Sequence, residues 1–186
     1  MSEITLHQDD LATARLRLRR LRPADAALIS LYASDARVAK MTTGVPHPYP
    51  PGLADAFIER VRRREGRELV WAIDSGADEE NGLIGTSAIK VLGDGTAELG
   101  YWIAPAFWGA GYASEAVHAI VDFADAAGIP VLVAQVFQDN ERAARALTRA
   151  GFAWLGAGEA HSVARAAMVP TFRYRREAGS FVGGGR

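Results

Sequence analysis

The sequence predicts a single mixed α/β domain, in which a meander of hairpins runs into a strand–helix–strand crossover. Three observations carry that expectation. Residues 69–73, 83–92 and 97–103 read as strands joined by turn residues. Residues 109–127 and 140–150 repeat apolar positions at helical spacing, and an almost wholly apolar run from Val131 to Phe137 lies between them. The chain has 186 residues, 49% hydrophobic and 23% charged, which suits one domain with a sizeable core and excludes global disorder.

Each element has its own signal. Residues 15–21 (Arg-Leu-Arg-Leu-Arg-Arg-Leu) largely alternate polar and apolar, as a half-buried strand does. Pro23 opens a helix through Tyr32, because a first-turn proline gives up an N–H that has no helical acceptor anyway. Four prolines in the six residues Pro46 to Pro51 forbid helix and central strand, so an exposed, stiff loop is expected. Leu53 to Arg64 returns to helical spacing, with Phe57, Ile58 and Val61 on one face. A strand from Leu69 to Ile73 ends at Asp74, an acidic turn spans Asp78 to Gly82, and a strand follows from Leu83 to Leu92. Asp94-Gly95 predicts a hairpin turn, since both types tolerate the left-handed conformation, with Ala97 to Ile103 as partner strand.

The helix over 109–127 places Ala113, Ala116, Val117, Ile120 and Phe123 on one side and stops at Gly128. Val131 to Phe137 is expected to be buried on both faces. Asn140 to Ala150 predicts a helix closed by Gly151. Phe152 to Leu155 and Val163 to Arg175 predict the last strands, and 179–186 a disordered tail. No repeat, linker or composition break interrupts residues 1–178, which are therefore expected to form one domain.

Composition narrows the function. Lysine and arginine total 21 against 22 acidic residues, a formal net charge of −1, which gives no footprint for sequence-independent nucleic-acid binding. With no cysteine, disulfides, thiol nucleophiles and thiolate zinc sites are excluded. His7, His118 and His161 lack ligand spacing, so no metal is expected. Glu3, Asp9 and Asp10 interrupt the N-terminus and no apolar run of about 18 residues exists, so a soluble cytoplasmic protein away from membranes is expected. Arg60, Arg62, Arg63, Arg64 and Arg67 read as a solvated basic face, His47 as a surface residue of the proline loop, and Trp71, Trp102 and Trp154 as core.

The chemistry concentrates between Glu98 and Ala116: a strand, a turn at Pro105, then Gly109-Ala110-Gly111-Tyr112-Ala113 opening a helix. Glycines let a ligand approach the backbone, the first helical N–H groups lack partners, and aligned dipoles add about half a positive charge there. Together they form an anion site suited to a pyrophosphate. A dinucleotide fold would need a third glycine where Ser114 stands and an acidic residue closing the next strand, and a Walker loop would need Gly-Lys-Ser/Thr. None is present.

The run Glu98 to Ala116 resembles the signature of the GNAT acyltransferase superfamily, and most closely its RimJ/RimL branch of protein N-terminal acetyltransferases. The superfamily's Gln/Arg-x-x-Gly-x-Gly/Ala motif corresponds to Trp108-Gly109-Ala110-Gly111-Tyr112-Ala113, with Trp108 departing at the first position. Ser114-Glu115-Ala116 matches the branch's continuation. Ala14 to Arg19 with Asp25, Leu83-Ile84-Gly85, Asp139-Asn140 and Gly151-Phe152 resemble further family segments in order, so the resemblance covers roughly residues 13–176. It implies a mixed, mostly antiparallel sheet of about seven strands, splayed between the fourth and fifth and flanked by about four helices.

The resemblance also implies an acetyl-CoA site in that splay. Backbone groups of Tyr101 and Ile103 would hold the pantetheine arm, Trp108 to Ser114 would surround the pyrophosphate, and Asn140 would sit beside the thioester end or the pantetheine. The acceptor would be a primary amine, foremost the N-terminal α-amine of a protein or peptide. A small-molecule amine and a non-catalytic CoA-binding module are the alternatives, and a homodimer through the C-terminal strands is compatible with the sequence. Glu98 is the candidate base and the Ile103 N–H the candidate oxyanion donor. Two family hydroxyl positions hold Ala143 and Leu147 instead, which leaves Tyr112, Ser114 or solvent to protonate the leaving thiolate, or a thiolate that departs without an acid.

Overall fold

The computed structural model describes residues 6–63, 67–76 and 82–179. The N-terminal Glu3, Arg64 of the basic stretch, the acidic turn at Asp78–Asn81 and the tail from Ser180 lie outside the described residues. The strands are β1 (Leu11–Ala12), β2 (Arg17–Arg20), β3 (Glu68–Asp74), β4 (Leu83–Gly93), β5 (Thr96–Ile103), β6 (Val131–Phe137), β7 (Ala153–Ser162) and β8 (Ala167–Glu177). The helices are α1 (Ala26–Ala33), α2 (Ala36–Ala39), α3 (Leu53–Arg63), α4 (Tyr112–Ala126) and α5 (Glu141–Arg149). All the strands form one sheet in the order β1-β2-β3-β4-β5-β6-β8-β7, antiparallel except for the β5–β6 pair. The two-residue β1 is the strand beyond the seven expected, so the expected fourth and fifth strands are β5 and β6.

Alternation along β3 sets the layers. Leu69, Trp71 and Ile73 pack in one cluster with Ala116, Val117, Ile120, Val121 and Ala124 of α4. Val70 and Ala72, on the opposite face, pack with Ile29 of α1 and Ala54, Ile58 and Val61 of α3. Trp71 is fully buried and edge-on to Phe123, with ring centroids 5.0 Å apart. The β4–β5 turn has positive φ at both Asp94 (51°) and Gly95 (73°), the mirror-image turn whose twist suits a two-residue hairpin.

The feature that positions the site is the β5–β6 pair. It spans three residue pairs, Thr96↔Val131, Ala97↔Leu132 and Glu98↔Val133. β5 then runs on to Ile103 bonded only to β4, while β6 stays paired with β8 as far as Phe137↔Thr171. A wedge-shaped gap opens between them.

Several expectations change. β6 is not buried on both faces: Leu132, Ala134 and Phe137 are buried, but Val131, Val133, Gln135 and Val136 are half-buried. α1 and α3 cover β3 and β4 and stop short of β6, leaving one of its faces to a cavity. β7 extends to Ser162 and β8 starts at Ala167, with a turn where the last strand was expected to begin. Residues 156–162 carry little strand propensity and are recruited by pairing with β8. Trp154 is 62% exposed on that edge strand rather than in the core, and Trp102 is half-buried. α4 starts at Tyr112, not Gly109, because Gly109 (φ 86°) and Gly111 (φ 84°) are left-handed. No helix among the described residues is long and apolar enough to cross a membrane.

A buried charge cluster ties the N-terminal segment to the sheet. The Arg19 guanidinium, 4% exposed on β2, donates to both oxygens of Asp25 at 2.9 Å and to Asp74 at 2.6 and 3.1 Å. Asp25 also accepts the Arg22 N–H at 2.7 Å, closing the turn into α1. The hydrogen bonds to Asp25, outweighing desolvation, push the Arg19 pKa further above its ordinary value. Asp25→Ala strands that cation without its bidentate partner and is expected to cost about 3–5 kcal/mol, as removal of one member of a buried pair does. Urea unfolding followed by circular dichroism reads this directly, and a loss under about 1 kcal/mol would show that Asp74 suffices alone.

Candidate active site

Two cavities meet at the gap. One, of about 630 Å³, lies on the α1/α3 side and is lined by Tyr49, Phe57, Glu68, Lys90, Glu98 and Gln135 among others. The other, of about 670 Å³, lies beside the N-terminus of α4 and the face of α5. Their walls share Met41, Thr42, Tyr101, Trp102, Asn140 and Ala143. Each volume falls in the range of small-molecule sites.

The second cavity is built for anions. Among the described residues, no hydrogen bond engages the main-chain N–H of Gly109, Ala110, Gly111, Tyr112, Ala113 or Ser114. That run of donors stands at the positive end of the fifteen-residue α4. It is braced from outside the cavity. Glu115, in the first turn of α4, accepts from Thr13 Oγ1 (2.5 Å), the Arg15 N–H (2.8 Å) and Arg15 Nε (2.7 Å). Arg15 also donates to the Ala110 carbonyl at 2.8 Å and lies over the Tyr112 ring. Burial alone would raise the Glu115 carboxyl, but the hydrogen bonds from Thr13 and Arg15 prevail and hold it below the ordinary value.

Trp108, the residue that departs from the motif, donates its indole N–H to the Ile103 carbonyl at 2.6 Å. Arg142 and Arg37 lie over its ring at 5.0 and 5.8 Å. Arg142, Arg145 and Arg149 of α5 line the same cavity. This basic face was not among the expectations from sequence, although the i, i+3, i+7 spacing of the three arginines places them on one side of a helix. Near-zero net charge concealed a local excess.

At the shared wall, Asn140 caps α5, its Oδ1 accepting the Ala143 N–H at 3.2 Å. Tyr101 reaches across the gap and donates its hydroxyl to the Ala143 carbonyl at 3.2 Å. Burial raises that phenol well above its ordinary pKa, so it stays neutral near pH 7. Tyr112 and Ser114 line the second cavity only, away from the shared wall, and the side chain of Leu147 is fully buried.

In the first cavity the acids are matched by bases. Glu98 stands directly across from Lys90 in the β4–β5 ladder, and Glu68 pairs with Arg60 at 3.1 Å. Arg60, Arg62, Arg63 and Arg67 are all exposed, and Arg60 also lines the cavity wall. His47 is exposed and off the cavity wall. Glu98 and Ile103 are separated by five residues of strand, roughly 16 Å, so they cannot both touch one reacting centre. No group of three or more histidine, aspartate or glutamate side chains among the described residues could hold a metal. The arrangement can hold an extended anionic molecule in one chamber and a second molecule in the other, with both ends meeting beside Tyr101, Trp102 and Asn140.

Comparison with known proteins agrees with this architecture. The acetyltransferase (GNAT) domain family model matches residues 15–153. The uncharacterized N-acetyltransferase YoaA of Bacillus subtilis (strain 168) is 33% identical over 147 residues, covering 76% of this chain and 81% of that protein. Mycobacterium smegmatis RimJ in complex with a CoA-disulfide superposes with a TM-score of 0.81 at 21% identity, over 95% of this chain and 90% of that one. A RimL α-N-protein acetyltransferase of a ribosomal protein, in complex with coenzyme A, gives 0.79 at 15% identity, over 93% and 100%.

The Glu115 brace has a pH signature. A carboxyl held low in the folded state contributes fully above the ordinary carboxylate pKa, and that contribution is lost as pH falls through the lower folded value. Thermal melts between about pH 3 and 7 should therefore show the parent losing stability below about pH 4 more steeply than Glu115→Gln. Parallel curves would mean that the brace is not felt by the fold.

Proposed function

The chain belongs to the GNAT acetyltransferase family, and on that premise we propose that it transfers acetyl from acetyl-CoA to the N-terminal α-amine of a protein or peptide. Attack is direct, in a ternary complex. The observation that carries this reading is the pair of chambers joined at the parting of β5 and β6, one lined by unmet N–H donors and arginines, the other nearly charge-balanced.

In this reading the N–H groups from Gly109 to Ser114 receive the pyrophosphate, flanked by Trp108, Arg37 and Arg142. Backbone groups of Tyr101 and Ile103, on the β5 edge that β6 leaves unpaired, hold the pantetheine arm. Asn140 stands at the thioester end. Acetyl-CoA supplies an acyl group already activated as a thioester, and the protein's work is to orient the amine, accept its proton and stabilise charge on the carbonyl oxygen.

In this reading the roles divide along β5. Glu98 takes the proton from the amine, through ordered water where the acceptor is not in direct reach. The oxyanion donor is then the N–H of Tyr101 rather than Ile103, since alternate residues present their N–H to the same strand edge and Tyr101 is two residues nearer Glu98. The leaving sulfur meets no hydroxyl from α5, where Ala143 and Leu147 stand; the Tyr101 hydroxyl, bonded to the Ala143 carbonyl, is the nearest neutral donor at the shared wall.

Two features favour an α-amine. Deprotonating an α-amine at pH 7 costs about 1 kcal/mol, against about 4.6 for a lysine, so one half-buried carboxylate is base enough. The acids of the acceptor chamber each face a base, Glu98 with Lys90 and Glu68 with Arg60, which disfavours polyamines and aminoglycosides. CoA-thiol release measured with N-terminal peptides, lysine peptides, polyamines and aminoglycosides tests this directly: turnover is expected with the N-terminal peptides, and turnover confined to another group would replace the acceptor assignment.

Glu98→Gln is expected to lower kcat by about 10²-fold or more with acetyl-CoA affinity little changed. Full activity at every pH would remove Glu98 as the base. Tyr101→Phe is expected to lower kcat by about 10-fold, and less with acyl thioesters of more acidic thiols, whose departure needs no donor. An equal loss with every leaving group would assign Tyr101 to packing.

A further inference from the structure

Gly100 sits in the middle of β5 for no reason the fold supplies. A glycine inside a strand costs backbone entropy and forgoes packing, so it ordinarily marks a left-handed φ, a tight backbone contact or the close approach of a ligand. The first reason does not apply, because Gly100 is not among the glycines with positive φ. Nor does the second, since a methyl group built on Gly100 would touch no atom within 4 Å. Gly85, nearby on β4, is the contrast: a methyl there would run into the Trp102 carbonyl oxygen.

What surrounds Gly100 is the acceptor chamber. Strand alternation puts residues 98, 100 and 102 on one face of β5, and all three line that cavity. Gly100 lines the acceptor chamber and not the donor chamber. Its ladder partner on β4 is Ala88, also on the wall, so the two adjacent strands present their smallest side chains side by side. Lys90 and Glu98 bound this low saddle on one side, Thr86 and Trp102 on the other. Trp102 belongs to the wall the two chambers share, so the saddle lies between the proposed base and the junction.

We propose that Gly100 is a specificity-determining residue: the bare strand at Gly100 and Ala88 is the floor on which the amine-bearing end of the acceptor rests, flanked by Trp102, with Glu98 at its far side. This rests on the amine-acetyltransferase reading above and deepens it. A side chain at position 100 occupies the space that the acceptor needs while leaving the folded chain unstrained. The glycine is thus retained against its own cost to strand stability.

The test uses Gly100→Ala and Gly100→Val in the full chain, with Ala88→Gly as a variant that deepens the saddle. Melting temperatures of both Gly100 variants are expected to equal or exceed the parent, and acetyl-CoA affinity by calorimetry is expected to be unchanged. Acceptor kcat/KM is expected to fall about 10-fold for Gly100→Ala and about 100-fold or more for Gly100→Val. Ala88→Gly is expected to shift preference towards bulkier acceptors, read as their kcat/KM relative to that of the parent's best acceptor. Acceptor kcat/KM at the parent level in Gly100→Val would overturn the proposal and leave the acetyltransferase reading standing. Lost acetyl-CoA affinity would also overturn it, by placing Gly100 on the donor's path. A parent enzyme that acetylates small amines instead of peptides would overturn only the α-amine assignment, and the same variants then decide the role of Gly100 on that amine.

Discussion

Most of this protein follows from one constraint: two neighbouring parallel strands cannot stay paired once their outer partners carry them apart. β5 is held to β4 along its whole length by a tight hairpin, and β6 is held to β8 over seven pairs. The contact between them closes only at Thr96, Ala97 and Glu98. Beyond Glu98 the backbone edges of β5 and β6 have no strand to bond to, a cost that a sheet interior ordinarily avoids. The gap between the unpaired edges leaves room for an extended ligand to take the place of the missing strand. Both chambers exist because of it, and so does the juxtaposition of Tyr101 with Ala143 across it.

The anion chamber illustrates how a short sequence feature depends on distant support. Left-handed Gly109 and Gly111 turn the chain so that six successive N–H groups lack acceptors among the described residues, an arrangement that gives up internal hydrogen bonding. Thr13, Arg15 and Glu115 hold it from behind, joining a turn near the N-terminus to the first turn of α4 about a hundred residues later. Arg15 also donates to the Ala110 carbonyl within this run. The Arg19–Asp25–Asp74 cluster does comparable work nearby, fixing β2 and the start of α1 against β3.

Electrostatics separate what the totals merge. A net charge of −1 describes the chain as a whole, yet Arg37, Arg142, Arg145 and Arg149 outnumber Asp139 and Glu141 on the wall of the chamber beside α4, while the other chamber balances its charges. A chamber whose field favours anions and one without bias towards polycations can therefore coexist in one small protein.

The sequence by itself determined whatever rests on local physics. Asp94-Gly95 specified its turn, the glycines of Gly109-x-Gly111 specified an unsatisfied helix start, the apolar run Leu69–Ile73 ending at Asp74 specified a strand, and the ordered motifs specified the family. Tertiary structure decided whatever depends on which strand lies beside which. β6 reads as doubly buried from its apolar run, but no helix reaches its second face; residues 156–162 become strand only because β8 is there to pair with; Trp154 lies exposed because its strand is an edge. The arginine face of α5 was legible in its spacing, but its meaning was not, since nothing local says that Arg142 lies over Trp108. The distance between Glu98 and Ile103 was in the sequence all along, five residues of strand. Only the parting of β5 from β6 gives those residues different chambers, because a cavity is a property of separated elements and no single segment encodes it.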